Sequence, residues 1–233
     1  MWIKICGNTT LEDAQLAVTY GADAVGFVFA DSPRRVTPDV VHSITEKLPR
    51  SIEKYGVFVD ADFDTIVATV RDAGLTGVQL HATDEIGLAE RLRQHYAELP
   101  YHFSILQVLH YVPDMDVFSA QLRKLRAVAA VDAVLIDSRT ATQQGGTGIT
   151  FDWAEARDSF FREAPHLRLI AAGGLQPENV KQAIRTLQPW GVDVSSGVES
   201  QPGRKDPERV AAFIREARIA AGELAKISAP VKA

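Results

Sequence analysis

One thiol, one aspartate at the end of an apolar run, and three glycine-bearing loops have the types and spacing to do chemistry in this sequence. Cys6 is the only cysteine. It closes the run Trp2-Ile3-Lys4-Ile5, just before the loop residues Gly7, Asn8 and Thr9. As a thiolate it could be a base or a nucleophile; as a thiol it could fill core. No His/Asp set accompanies it, which disfavours a protease-like triad. A single cysteine among scattered histidines also lacks the ligand spacing of a zinc site, so no metal is expected.

Asp137 follows the buried-looking run Ala133-Val134-Leu135-Ile136. Apolar walls could keep its carboxyl protonated as a general acid, or it could cap a helix or bond a loop. His81 could donate to a ligand or satisfy rim backbone. Arg34 and Arg35 offer guanidinium forks that suit a carboxylate, yet either could be a solvated surface arginine, and Arg139 is equally ambiguous. Asp60 reads as no more than a residue leading into a helix. The stretches Gly145-Gly146-Thr147-Gly148, Gly173-Gly174 and Ser195-Ser196-Gly197 let backbone N–H groups approach an anion closely. Together they read as a phosphate cradle, with a short extra helix near Gly197 aiming its positive end at the ligand.

Positioning these groups falls to an alternation of elements. Apolar runs lie at Trp2–Cys6, Ala24–Phe29, Tyr55–Val59, Gly77–Leu80, Phe103–Leu109, Ala133–Ile136, Leu167–Ala171 and Val192–Val194. Most lack strict alternation, as strands buried on both faces do. Helix signals stand between them. Thr9-Thr10-Leu11-Glu12 reads as a capping box closed by Gly21, and Thr37-Pro38 as a cap before a first-turn proline. Asp62 precedes the third helix and Gly74 follows it. Thr83 or Asp84 opens the fourth, and Met115 to Ala129 forms the fifth. Asp152, Pro177-Glu178 and Asp206-Pro207 open the last three.

Eight strand–helix units without a composition break predict an α/β fold: a single (β/α)8 TIM barrel with eight parallel strands. It should occupy residues 1–225, with 226–233 as a frayed tail. The first turn, Cys6-Gly7-Asn8-Thr9, lacks the glycine fingerprint of a dinucleotide fold. In such a barrel the site lies at the C-terminal strand ends. That rim is where Cys6, Arg34, His81, Asp137 and the glycine loops fall.

Composition narrows the partners. The 233 residues are 46% hydrophobic, enough for a full core, and carry a net charge of -5. No basic stripe suits a nucleic acid. The longest apolar run, Ala24 to Ala30, is too short to span a membrane. A small molecule is the expected partner. The lone cysteine excludes an intrachain disulfide and fits a reducing cytoplasm. No signal peptide is expected, because the first strand begins at residue 2.

Several motifs, taken in order, resemble one known family. They are Lys4-Ile5-Cys6-Gly7, Gly26-Phe27-Val28-Phe29, Ser32-Pro33-Arg34, Gly56-Val57-Phe58-Val59 and Val78-Gln79-Leu80-His81, then Leu135-Ile136-Asp137-Ser138, Gly145–Gly148, Ala172-Gly173-Gly174-Leu175 and Val192 to Glu199. Pro202-Gly203, Lys205 and Asp206 continue the last. The chain resembles the phosphoribosylanthranilate isomerases of tryptophan biosynthesis. That resemblance implies a cofactor-free Amadori rearrangement of a phosphorylated small molecule. It implies Cys6 as general base, Asp137 as general acid and Arg34 as the ligand of the substrate carboxylate. It places the phosphate at Gly146, Thr147, Gly148, Gly173, Gly174, Ser196 and Gly197, with His81 also touching substrate. The family includes monomers and homodimers. Ala82 after His81, and Gln107 in the fifth run, depart from the family pattern. Related phosphate-binding barrels are the alternatives, and a histidine-pathway sugar isomerase would carry aspartate at position 6. A non-catalytic binding protein keeping the cradle is a third reading.

Overall fold

A computed structural model describes residues 1–81, 86–110, 114–126, 130–137 and 153–227. Eight strands alternate with eight helices: β1 Trp2–Ile5, α1 Leu11–Thr19, β2 Ala24–Val28, α2 Pro38–Thr45, β3 Glu53–Val59, α3 Phe63–Ala73, β4 Gly77–His81, α4 Ile86–His95, β5 Ser104–His110, α5 Met115–Arg126, β6 Ala133–Asp137, α6 Trp153–Glu163, β7 Arg168–Ala172, α7 Val180–Leu187, β8 Gly191–Val194 and α8 Pro207–Ile227. A small hairpin, β9 Glu199–Gln201 and β10 Arg204–Lys205, stands between β8 and α8. The eight main strands pair in parallel in sequence order, and β1 pairs with β8 to close the barrel. The TIM-barrel expectation is borne out, with strand ends moved by one or two residues.

Two apolar layers hold the barrel. Residues on one side of each strand, such as Ile3, Ile5, Val25, Phe27, Ile105 and Leu109, pack against the helices. Helix α7 shows why: Val180, Ala183, Ile184 and Leu187 repeat at helical spacing and are all buried. The opposite strand faces form a second cluster inside the barrel, including Trp2, Tyr55, Leu106, Leu135 and Ile170. Each such side chain contributes about 1.5–3 kcal/mol on burial. Period-two alternation puts Gln107 on the helix side with Ile105 and Leu109, not in the barrel interior. Its Nε2 donates to the Leu80 carbonyl at 3.3 Å.

Local chemistry sets most helix ends. Thr10, one residue beyond the expected Thr9, caps α1 by accepting from Asp13 N. Thr9 instead donates to the Gly203 carbonyl at 2.6 Å, tying the first loop to the hairpin. Asp62 caps α3 by accepting from Thr65 N at 2.7 Å, and Gly74 ends it in the left-handed region at φ 64. Asp60 is exposed at φ 51, and the cap of α3 is Asp62 instead. Thr37 precedes Pro38 as expected, without a side-chain cap bond. Asp206 accepts from Arg209 N at the start of α8. The seventh helix starts later than its Pro177-Glu178 signal. Asn179 folds back, its Oδ1 accepting from Gln176 N and its Nδ2 donating to the Gly174 carbonyl. Those bonds serve the turn, so helical hydrogen bonding begins at Val180. Thr83, Asp84, Ala129, Asp152 and tail residues 228–233 lie outside the described residues.

Candidate active site

The C-terminal ends of the strands surround one cavity of about 250 Å3. Cys6, Arg34, His81, Asp137, Gly173, Gly174, Ser196 and Gly197 all border it. The remaining expected residues, Gly146, Thr147, Gly148 and Arg139, lie outside the described residues. A larger groove of about 1000 Å3 lies at the opposite end of the barrel, where Glu53, Thr76 and Ser104 begin or precede their strands. None of the described site residues borders it.

Cys6 follows β1, and its N–H donates to the Val194 carbonyl at 2.8 Å, so the strand pairing carries on to the thiol. It is 6% exposed. Asn8, fully buried, fixes the chain just beyond it by donating to the Ile5 and Gly26 carbonyls. Asp137 closes β6, half-buried on another wall of the cavity. Strands β7 and β8 separate β6 from β1 on one side of the ring, so a ligand between the walls would meet both groups.

Below the thiol is a charged layer that the sequence reading passed over. Lys4 is two residues before Cys6 and faces the same interior. Its Nζ donates to Gln79 Oε1 at 2.8 Å and meets Asp193 Oδ1 at 3.0 Å. Asp193 stands beside Lys4 in the β1–β8 register. Burial by itself would push the Lys4 ammonium down, but Asp193 and then Cys6 overcome it and hold it above the ordinary lysine value. For Cys6, burial pushes the thiol up and Asp193 adds to this, while Lys4 and Lys205 pull it down; the net direction is up. The signal was a lysine inside an otherwise apolar strand, Trp2-Ile3-Lys4-Ile5, and an aspartate inside Val192-Asp193-Val194.

Arg34 sits in a turn shaped by Ser32, whose hydroxyl accepts from Arg34 N. Its guanidinium is held by Glu199 through two bonds, Nε to Oε1 at 2.7 Å and Nη2 to Oε2 at 2.6 Å. Lys205 Nζ approaches the same carboxylate at 3.0 Å. The hairpin explains the geometry, because β9 and β10 pair Glu199 with Lys205 across the Pro202-Gly203 turn. Arg34 is therefore a clamped cation at the rim rather than a solvated one.

On the anion side, Gly173 and Gly174 take φ 78 and φ 61. The extra helix expected near Gly197 is a single 3-10 turn, Ser196–Val198. Gly197 has no room for a side chain: a Cβ there would lie 1.8 Å from the Leu175 carbonyl oxygen. The two glycine loops thus press on each other, and both border the cavity. Ser195 Oγ is buried there with no hydrogen-bond partner among the described residues.

His81 ends β4, and its ring lies 5.2 Å from that of His110 at the end of β5. His110, which the sequence reading did not single out, stands opposite Asp137 in the β5–β6 register. Among the described residues, no group of His, Cys, Asp and Glu is placed to hold a metal ion. No helix of the described residues is long and apolar enough to cross a membrane.

Comparison with known proteins bears on this arrangement. Residues 3–216 match the family model of N-(5′-phosphoribosyl)anthranilate (PRA) isomerase. The N-(5′-phosphoribosyl)anthranilate isomerase of Geobacter sp. (strain M21) is 39% identical over 217 residues, covering 93% of this chain and 97% of the relative. A crystal structure of phosphoribosyl anthranilate isomerase with reduced 1-(o-carboxyphenylamino)-1-deoxyribulose 5-phosphate superposes with a TM-score of 0.76 at 34% identity, covering 94% of this chain and 98% of that one. Monomers generated from the dimeric enzyme of Thermotoga maritima superpose with a TM-score of 0.75 at 32% identity, with the same coverage of 94% and 98%. Sequence, barrel and coverage agree from the first strand to the last helix, and the chain belongs to the N-(5′-phosphoribosyl)anthranilate isomerase family.

Proposed function

We propose that Cys6 and Asp137 divide the proton transfers by which this enzyme isomerises N-(5′-phosphoribosyl)anthranilate to 1-(2-carboxyphenylamino)-1-deoxyribulose 5-phosphate. The overall reaction is the family's step in tryptophan biosynthesis. One observation carries the assignment: the thiol and the carboxyl border a single cavity, from different walls, together with two glycine loops and a clamped arginine.

The reaction needs a proton delivered to the furanose ring oxygen, which opens the sugar to a Schiff base. It then needs a proton taken from C2, giving an enolamine that tautomerises to the ketone. Asp137 delivers the first proton and Cys6 takes the second. Arg34 meets the anthranilate carboxylate along the guanidinium edge that Glu199 leaves open. Gly173, Gly174, Ser196 and Gly197 hold the phosphate with backbone N–H groups, together with Gly146, Thr147 and Gly148. His81 lines the space between these anchors. Fixing the substrate at both ends places C2 and the ring oxygen against the two proton-transfer groups. The chemistry needs no electron transfer, so no redox cofactor enters.

The enzyme works in the cytoplasm, in keeping with its single free thiol. It is a monomer or a homodimer; the Thermotoga maritima relative is dimeric, and monomers have been generated from it. The deciding experiment follows fluorescence of phosphoribosylanthranilate generated in situ. Enzyme-dependent consumption supports the reading, and binding of a product analogue without turnover would overturn it.

A further inference from the structure

We propose that Lys4 is a positioning residue for the reaction: its buried ammonium, clamped by Asp193 and Gln79, is the counter-ion of the Cys6 thiolate. This rests on the reading of Cys6 as the base.

Geometry comes first. Lys4 has no solvent exposure, so its charge cannot be answered by water. An ammonium has three donors. Gln79 and Asp193 take two of them, which leaves one for the side of the barrel where Cys6 lies. Gly26 on β2 makes room for this meeting. A Cβ there would lie 2.7 Å from Cys6 Sγ, 3.0 Å from Lys4 Cε and 3.1 Å from Lys4 Nζ. Sulfur and ammonium thus border the same point inside the barrel.

Stability does not account for the arrangement. A buried ion pair contributes little beyond what an apolar pair of the same shape would, because both charges lose their hydration. What the lysine can do, and an apolar residue cannot, is favour a negative sulfur above it. Asp193 is a competitor as well as a clamp. It keeps Lys4 charged, yet it uses part of that charge and repels the thiolate.

Other charged groups face the same sulfur or its cavity and set the background. They are Asp31 and Arg34 after β2, His81 on β4, Asp137 on β6 and Lys205 on β10, with Glu199 on β9 behind Arg34. The lining residues from β3 and β7 are not titratable. Lys4 is the cation nearest in sequence and shares the strand face, so its removal should dominate.

The chain's single cysteine makes the test clean, since thiolate absorbance and iodoacetamide alkylation report on Cys6 alone. In Lys4→Met, thiolate formation should move up by about 1–3 pH units. The rising limb of the kcat profile should move with it, while KM changes little. Lys4→Arg, which keeps a cation, should restore most of the wild-type profile. Asp193→Asn should move the titration down, and it gives an independent reading if Lys4→Met does not fold. A thiol titration unmoved in folded Lys4→Met, or moved upward in Asp193→Asn, overturns the pairing. Turnover that survives Cys6→Ala overturns the base assignment instead, and with it the catalytic use of Lys4, even where the titration has shifted.

Discussion

Glu199 holds Arg34 along one whole edge of the guanidinium, at 2.7 Å and 2.6 Å, and shares its carboxylate with Lys205 at 3.0 Å. Three charged side chains from a loop and a hairpin therefore form one unit at the rim. The hairpin carries no strand of the barrel; it fixes the Arg34 cation, which we propose meets the substrate carboxylate. Glu199→Gln keeps the shape and removes the charge. KM should rise about tenfold with kcat nearly unchanged, the pattern of lost binding that is uniform along the reaction. Urea unfolding should also show a loss of about 1–3 kcal/mol, because Lys205 would be left buried without a carboxylate. A variant with wild-type KM would remove Glu199 from the anchoring of Arg34.

The same unit predicts an acid limb of stability. Burial pushes the Glu199 carboxyl up, but the Arg34 hydrogen bonds and Lys205 win and hold it below its ordinary value of 4.5. A folded carboxyl below its unfolded value contributes stability that is complete above the unfolded value. That contribution is lost as pH falls through the folded value. Wild type should therefore lose stability more steeply than Glu199→Gln below about pH 4.5, as followed by urea midpoints across pH. Parallel curves would mean that the pair contributes nothing net.

Cys6, Asp137 and Arg34 should separate by kinetic signature. Cys6→Ala and Asp137→Asn should each lower kcat by about 100- to 10,000-fold, with substrate still bound. Arg34→Ala should mainly raise KM, because an anchor acts on bound substrate and transition state alike. Near-wild-type turnover in either of the first two variants would sink the division of roles. A large kcat loss with unchanged KM would do the same for Arg34.

Much of this was legible in the sequence because the local signals agreed with the global fold. Each apolar run lay where a buried parallel strand must lie, and eight repeats left little choice but closure. Cys6, Asp137 and the glycine pairs were visible because they end strands, where a barrel builds its site. What stayed hidden depends on side chains meeting across the closed ring. Lys4 looked like one polar residue in an apolar strand until β8 returned Asp193 beside it and β4 supplied Gln79. Glu199 stood in a recognised motif, yet its partner is 165 residues away. The start of α7 was misplaced because Asn179 bonds its own turn. His110 lay one residue past the run Phe103–Leu109, at a strand end that the sequence reading passed over.

Helix α8 offers a stabilising substitution far from the chemistry. Gly222 lies inside the helix, and a Cβ there would meet nothing within 4 Å. Gly222→Ala should raise stability by about 0.5–1 kcal/mol, since alanine restricts the unfolded chain and adds no clash. Thermal unfolding checks this, and kcat and KM should stay at wild-type values. A destabilised variant would mean that α8 packs more closely around residue 222 than its open surroundings indicate.

Gly197 is the opposite case. Its added Cβ would run into one peptide unit of the loop after β7: the Leu175 oxygen at 1.8 Å, the Leu175 carbonyl carbon at 2.9 Å and the Gln176 Cα at 3.1 Å. No rotamer change can relieve a clash with backbone, so the turn at Ser196–Val198 and the loop after β7 must move apart. Both loops border the cavity and both are assigned to the phosphate. Gly197→Ala should therefore cost about 1–3 kcal/mol of stability. It should also raise KM by at least about tenfold, since backbone donors lose their shared geometry. Inhibition by inorganic phosphate separates the two effects. If the loops hold the phosphate, inhibition weakens in parallel with KM. If the variant is merely less stable, KM and phosphate inhibition both stay at wild-type values at a temperature where it is fully folded, and the cradle assignment at Gly197 fails.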